Sequence, residues 1–146
     1  MRKTYQVLAF LIAICVVLQA MWIGLATFLL IGDVDDGKTI DKSYDGNWAD
    51  GMHGLFGTLI IPLLAIALLI VSFFAKIPGG SKWAGFVFLA VVVQIFLAFL
   101  AFGVPELGFL HPINAFVVLG LAATAGRRAR LLGSAAAVPA ETAPAV

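Results

Sequence analysis

Residues 52–57, MHGLFG, begin an apolar run that is long enough to cross a membrane. This stretch carries His53, and the chain has only two histidines. The other, His111, stands in residues 110–115, LHPINA, and also opens an apolar run. A histidine in a membrane span costs free energy unless it finds a partner inside the bundle. The two histidines are therefore the candidate functional pair, and the other segments are interpreted around them.

The composition is that of an integral membrane protein. Of the 146 residues, 62% are hydrophobic and 12% are charged, and the mean hydropathy is +1.08, far outside the range of soluble domains. A net charge of +1 provides no concentrated basic face for phosphate, so we expect no nucleic-acid partner. The single Cys15 lies in the first apolar run, where we expect a small buried side chain.

Four apolar runs predict an all-α fold, an integral membrane four-helix bundle over residues 1–132. The predicted spans cover about 5–31, 52–75, 83–102 and 109–125. The first run follows two basic residues, but it is too long for a signal peptide and is expected to be retained. Residues 133–146 contain too few large apolar side chains to pack, and they are predicted to form a disordered cytoplasmic tail.

Charge asymmetry predicts the orientation of the bundle. Four spans place seven of the nine basic residues on one side of the membrane: Arg2, Lys3, Lys76, Lys82, Arg127, Arg128 and Arg130. The acidic loop 32–51 lies on the other side, so the positive-inside rule predicts both termini in the cytoplasm of a multi-pass plasma-membrane protein. Both histidines then lie near the outer face. We expect Asp50 or Gly51 to cap the second span and the arginines to end the fourth.

The two halves of the chain carry a weak internal repeat. Residues 16–19, VVLQ, match residues 91–94, VVVQ, and each segment is followed by a histidine that opens the next span. Gln19 precedes its histidine by 34 positions and Gln94 by 17, and the longer first loop accounts for the difference. This pattern predicts two repeated hairpins related by a pseudo-twofold axis along the membrane normal, with the second and fourth spans facing each other.

A pair of neutral imidazoles at one depth predicts a group held between them. Haem iron accepts axial nitrogens from both faces of the macrocycle. The macrocycle needs space one turn deeper, and the small residues Gly57 and Ala115 stand four positions after His53 and His111. The sequence therefore favours haem.

Other residues near the pair have a less specific interpretation. Gln19 and Gln94 are expected either to form interhelical hydrogen bonds or to reach the cofactor's edge or a histidine ring nitrogen, and Asn114 could act similarly. A metal ion without a macrocycle, completed by Asp50 or Glu106, is the alternative to haem.

Aromatic residues and the terminal arginines have ordinary structural interpretations as well. Trp22, Phe56 and Phe109 are candidate walls of the pocket, although aromatic residues in membrane helices usually pack. The arginines after the fourth span are expected to anchor the topology, and binding of anionic membrane lipid is compatible with that role.

A glutamine-bearing helix followed by a histidine-led helix, repeated, resembles one four-helix half of the haem A synthase type of membrane bundle. It also resembles small four-span bacterial proteins with the same histidine pair, and is similar in principle to cytochrome b561-type bundles. The pattern covers about residues 5–130, but its motifs are only His53-Gly54 with Gly57, His111-Pro112 with Asn114, and the two glutamines. Haem A synthases have two histidine pairs, so synthase activity is not carried over. The resemblance implies haem b between the two histidines.

Together these features predict a haem b-binding membrane cytochrome that transfers single electrons near the outer face. Its expected partners are membrane lipid and a quinol or a redox partner protein; whether the chain is an enzyme is left open. One alternative is a cofactor-free scaffold subunit of a larger membrane complex or oligomer, which predicts a colourless protein that tolerates His53→Ala. Another is a haem-handling protein, which predicts loosely held haem as cargo or substrate.

Overall fold

A computed structural model describes residues 1–135 of the chain, and over that range the regular structure is entirely helical. Four of the helical segments are long and apolar enough to cross a membrane, which confirms the all-α prediction and the predicted number of spans. The protein is therefore a multi-pass membrane protein. The elements are α1 (Arg2–Asp35), α2 (Trp48–Leu55), a π-helical turn (Phe56–Ile60), α3 (Ile61–Ser72), α4 (Gly80–Gly103), a 3₁₀ turn (Pro105–Phe109) and α5 (Leu110–Ala135).

The helices pack in a closed ring around an apolar core. Helix α1 packs against α3 and α5, and α4 packs against the same two helices. Helices α3 and α5 consequently occupy opposite corners. The largest fully buried side chains are Tyr5, Ile12, Leu68, Val87 and Val118. Buried alanines on all four membrane spans allow the close backbone approach that stabilises membrane bundles.

The second span begins at Trp48, earlier than predicted, because Asn47 caps it. The Asn47 side-chain oxygen accepts hydrogen bonds from the amides of Ala49 and Asp50, and the Asp50 carboxylate accepts one from the Asn47 amide. This reciprocal capping box stabilises the helix start. The prediction of Asp50 or Gly51 as the cap was wrong, although Asp50 is the second half of the box. Asn47 also donates to the carbonyl of Ala26 at 3.0 Å, which ties the loop to α1.

A π-helical turn inside the second span keeps His53 on the face that packs in the bundle. In a regular α-helix, which turns about 100° per residue, Ile61 would lie about 80° around the helix from His53. The π turn accommodates one extra residue and reduces that offset to about 20°. Its wide hydrogen bond runs from the Ile61 amide to the Phe56 carbonyl, just before Pro62, which has no N–H to donate. His53 thus shares a face with the core residues Ile61 and Ala65.

Helix α5, which forms the fourth span, continues well past the predicted end of that span. It extends through the arginines at positions 127, 128 and 130 to Ala135, whereas the prediction was that these residues end the membrane span at about residue 125. Arginine is a good helix former, and its charge limits the membrane-embedded part rather than the helix itself. The predicted tail starts at residue 133; residues 133–135 belong to α5, and residues 136–146 lie outside the described part of the chain.

Candidate functional site

The fold brings the two histidines together. His53 lies in α2 and His111 at the start of α5, and both side chains are partly buried. Their ring centroids are 6.2 Å apart, and the ring planes are inclined at 57°. Two imidazoles on separate helices therefore face a common space within the bundle.

Each histidine is oriented by a backbone carbonyl of the preceding span. The Nδ1 atom of His53 lies 3.2 Å from the carbonyl oxygen of Gln19, and that of His111 lies 3.1 Å from the carbonyl oxygen of Gln94. A carbonyl can only accept a hydrogen bond, so in the neutral ring Nδ1 carries the proton and Nε2 carries the lone pair. Because Nε2 is on the far side of the ring from Nδ1, the lone pair points away from these carbonyls.

The glutamine side chains have a different role from their carbonyls, since they join neighbouring helices. The Gln19 amide nitrogen donates to the carbonyl of His53 at 2.9 Å. The Gln94 side-chain oxygen accepts from the Asn114 amide at 2.7 Å, and Asn114 also donates to the carbonyl of Ala90 at 2.9 Å. The interhelical hydrogen bonds considered from the sequence are thus formed, and the imidazole contact comes from the main chain.

Gly57 makes room for the side chain of Gln19. A Cβ atom at position 57 would lie 2.7 Å from the Gln19 amide nitrogen, which is closer than Cβ atoms approach other groups. The sequence predicts that the small residues Gly57 and Ala115 leave space for a macrocycle. In the structure the glutamine amide occupies the space beside Gly57, and Ala115 is partly buried.

In the half of α1 nearest the histidines, two buried polar atoms have no hydrogen-bond partner among the described residues. They are the side-chain oxygen of Gln19, an acceptor, and the indole Nε1 of Trp22, a donor. Three positions separate them, so they share a helix face. Buried polar groups are generally paired, and these two could meet the polar edge of a bound group or water. Trp22 also packs edge-on against Trp48, with ring centroids 5.7 Å apart; hydropathy and residue spacing carry no signal for this pairing.

The remaining predicted side chains contribute less to the site. Phe56 packs against the apolar core, whereas Phe109 is 62% exposed and is not an enclosed pocket wall. Within residues 1–135, no group of three or more His, Cys, Asp or Glu side chains is arranged to hold a metal ion. A zinc-type site requires three or four protein ligands, so the alternative completed by Asp50 or Glu106 lacks its ligand set.

Comparison of the chain with protein-family models, with curated proteins and with solved structures finds no match.

Proposed function

We propose that this protein is a haem b-binding membrane cytochrome, in which His53 and His111 hold the haem and single electrons pass near the outer face of the membrane. The spacing of the two rings is the observation that carries the proposal. If both rings bound one metal atom through bonds of about 2.0 Å each, their centroids would lie on the order of 6 Å apart. The observed separation is 6.2 Å.

The tautomer of both rings supports the same proposal. A metal-bound histidine usually donates its other ring N–H to a carbonyl or a carboxylate, which fixes the ring and increases its basicity. Here both Nδ1 atoms have a backbone carbonyl as partner, so both Nε2 atoms are available for ligation. The unpartnered N–H of Trp22 offers a donor to a carboxylate at the polar edge of the group, and the unpartnered oxygen of Gln19 can accept from a water molecule beside it.

Ligation by both histidines favours electron transfer over chemistry at the metal. A haem held by His53 and His111 would supply one-electron transfer. The protein's contribution is to fix both rings through backbone hydrogen bonds and to surround them with helices. Membrane quinol is the proposed donor and an outer redox protein the proposed acceptor, because the pair lies close to one end of the bundle.

The glutamine–histidine contacts support the proposed repeat, and the distribution of charge supports the proposed orientation. A glutamine carbonyl meets a histidine Nδ1 in each half of the chain, at 3.2 Å and 3.1 Å, as expected for two related hairpins. The seven basic residues outside the loop stand at the end of the bundle that holds the N-terminus, and the aspartates stand in the opposite loop. On the positive-inside rule this arrangement favours cytoplasmic termini in the plasma membrane.

Substitution of each ligand, with chemical rescue, tests the proposal. His53→Ala and His111→Ala should each abolish the sharp reduced α and β bands of the purified protein, and added imidazole should restore them because it replaces the missing ligand. Ser72→Ala is the matched control, since this buried hydroxyl donates to Leu69 at the opposite end of the second span. It should keep the full spectrum.

Two outcomes would favour the alternatives. If the folded wild-type protein stays colourless when it is expressed with added haem, the scaffold function replaces the cytochrome. If the wild-type protein binds haem but releases it readily to apomyoglobin, haem is cargo or substrate and the haem-handling function is favoured.

A further inference from the structure

One end of the bundle is strongly basic. It contains the start of α1, the end of α5, the turn between α3 and α4, and the first turn of α4, with seven lysines and arginines among them. The carboxylates of the described residues lie in the 33–50 segment and at Glu106, at the opposite end, where Lys38 and Asp33 form an ion pair of 2.7 Å. The described carboxylates are therefore separated from this basic end by the length of the bundle.

A groove at this end lies between the first residues of α1 and the last turns of α5. Its volume is about 530 Å³, and its polar lining consists of Arg2, Lys3, Gln6 and Arg130. Its lining also includes the apolar Val7. The groove has a cationic rim beside an apolar surface, and it lies at the end of membrane-spanning helices. This is the depth at which a lipid headgroup meets its acyl chains.

Arg2 contacts both sides of the groove, and one of its N–H donors has no hydrogen-bond partner among the described residues. Its Nη1 donates to the carbonyl of Leu132 in α5 at 3.2 Å. Its Nε is buried and has no hydrogen-bond partner within residues 1–135. A guanidinium presents five N–H donors in a planar fork that matches phosphate oxygens.

We propose that this groove binds the phosphate of an anionic membrane phospholipid. Arg2, Lys3 and Arg130 would contact the headgroup, while the exposed Val7 would contact the first carbons of an acyl chain. The apolar part of the lining favours a lipid over free phosphate. The bound lipid would also bridge α1 and α5, which meet at this end of the bundle. The inference is independent of the proposed haem site.

Native mass spectrometry of the detergent-purified full chain tests the site with defined lipids. Wild-type protein should retain phosphatidylglycerol and release phosphatidylcholine. Arg2→Gln with Arg130→Gln should weaken retention at least about tenfold, because each guanidinium removed would have formed charge-assisted hydrogen bonds with the phosphate. Lys76→Gln with Lys82→Gln is the matched control, because it removes the same charge at the same end but outside the groove lining. It should change retention less than about threefold, since the remaining attraction is diffuse.

Three results would overturn the proposal. Equal losses in the two double variants would show diffuse attraction to the basic end. Equal retention of phosphatidylglycerol and phosphatidylcholine by the wild-type protein would show that the net negative charge of the headgroup is not recognised. Displacement of the lipid by an equal concentration of inorganic phosphate would show an anion site with no role for the apolar walls. The last two measurements use the wild-type protein and do not depend on the folding of any variant.

Discussion

Replacing Asn114 with alanine tests whether polar contacts beside the histidine pair hold α4 and α5 together. The Asn114 amide donates to the side-chain oxygen of Gln94 at 2.7 Å and to the carbonyl of Ala90 at 2.9 Å. Interhelical hydrogen bonds in membrane proteins contribute about 0.6 kcal/mol on average and about 1.7 kcal/mol at most. Loss of both contacts should therefore lower the free energy of unfolding by about 1–2 kcal/mol.

The assay is equilibrium unfolding in mixed detergent and SDS micelles, followed by far-ultraviolet circular dichroism. A double-mutant cycle with Gln94→Ala isolates the side-chain pair, and its coupling energy should be about 0.6 kcal/mol or more. Thr27→Ala is the control, because that exposed hydroxyl bonds only to the carbonyl of Ile23 in its own helix; its effect should stay within about 0.5 kcal/mol. Additivity of Asn114→Ala and Gln94→Ala to within about 0.3 kcal/mol would refute the assigned contact.

Three further predictions concern other parts of the fold. Tyr5→Phe removes a buried O–H that donates to a backbone carbonyl at the start of α4 at 3.0 Å, and it should cost about 1 kcal/mol in the same unfolding assay. Asn47→Ala should cost about 1–2 kcal/mol and speed hydrogen exchange at the start of α2, while Asn47→Asp should retain part of the cap. Hydrogen bonds from Ser43 hold the pKa of Asp41 below its ordinary value. These hydrogen bonds to ionised Asp41 therefore stabilise the turn at pH values above the ordinary pKa of aspartate. The stabilisation is lost as the pH falls through the lowered pKa of Asp41, and Ser43→Ala should raise that pKa in an NMR titration.

The membrane spans could be predicted because apolar length is visible in the sequence, whereas their ends could not. The second span begins at Trp48 because of a capping box, and the pattern Asn47-x-x-Asp50 was the available signal. Residues of α5 beyond position 125 are helical because arginine and alanine favour a helix in water as well as in lipid. Hydropathy reports where the membrane ends, and backbone hydrogen bonding determines where the helix ends.

The order of the spans predicts that the two histidines lie close together, but it does not predict how their rings are oriented. Both open spans that start on the same side, so His53 and His111 were expected at one depth. Their Nδ1 partners are backbone carbonyls of Gln19 and Gln94. Every residue carries the same carbonyl, and only the rotation of the packed helix selects which one is presented. The π turn before Pro62 adjusts that rotation for His53, and it is not encoded in hydrophobic periodicity.

Titration of the purified full chain with haem is the measurement to make first. If His53 and His111 ligate one iron atom, the Soret band should rise to a sharp end point at one haem for each chain, and dithionite should then produce narrow α and β bands. An absence of any end point with a folded wild-type protein, or a haem spectrum that His53→Ala and His111→Ala leave unchanged, would contradict shared ligation by the two histidines.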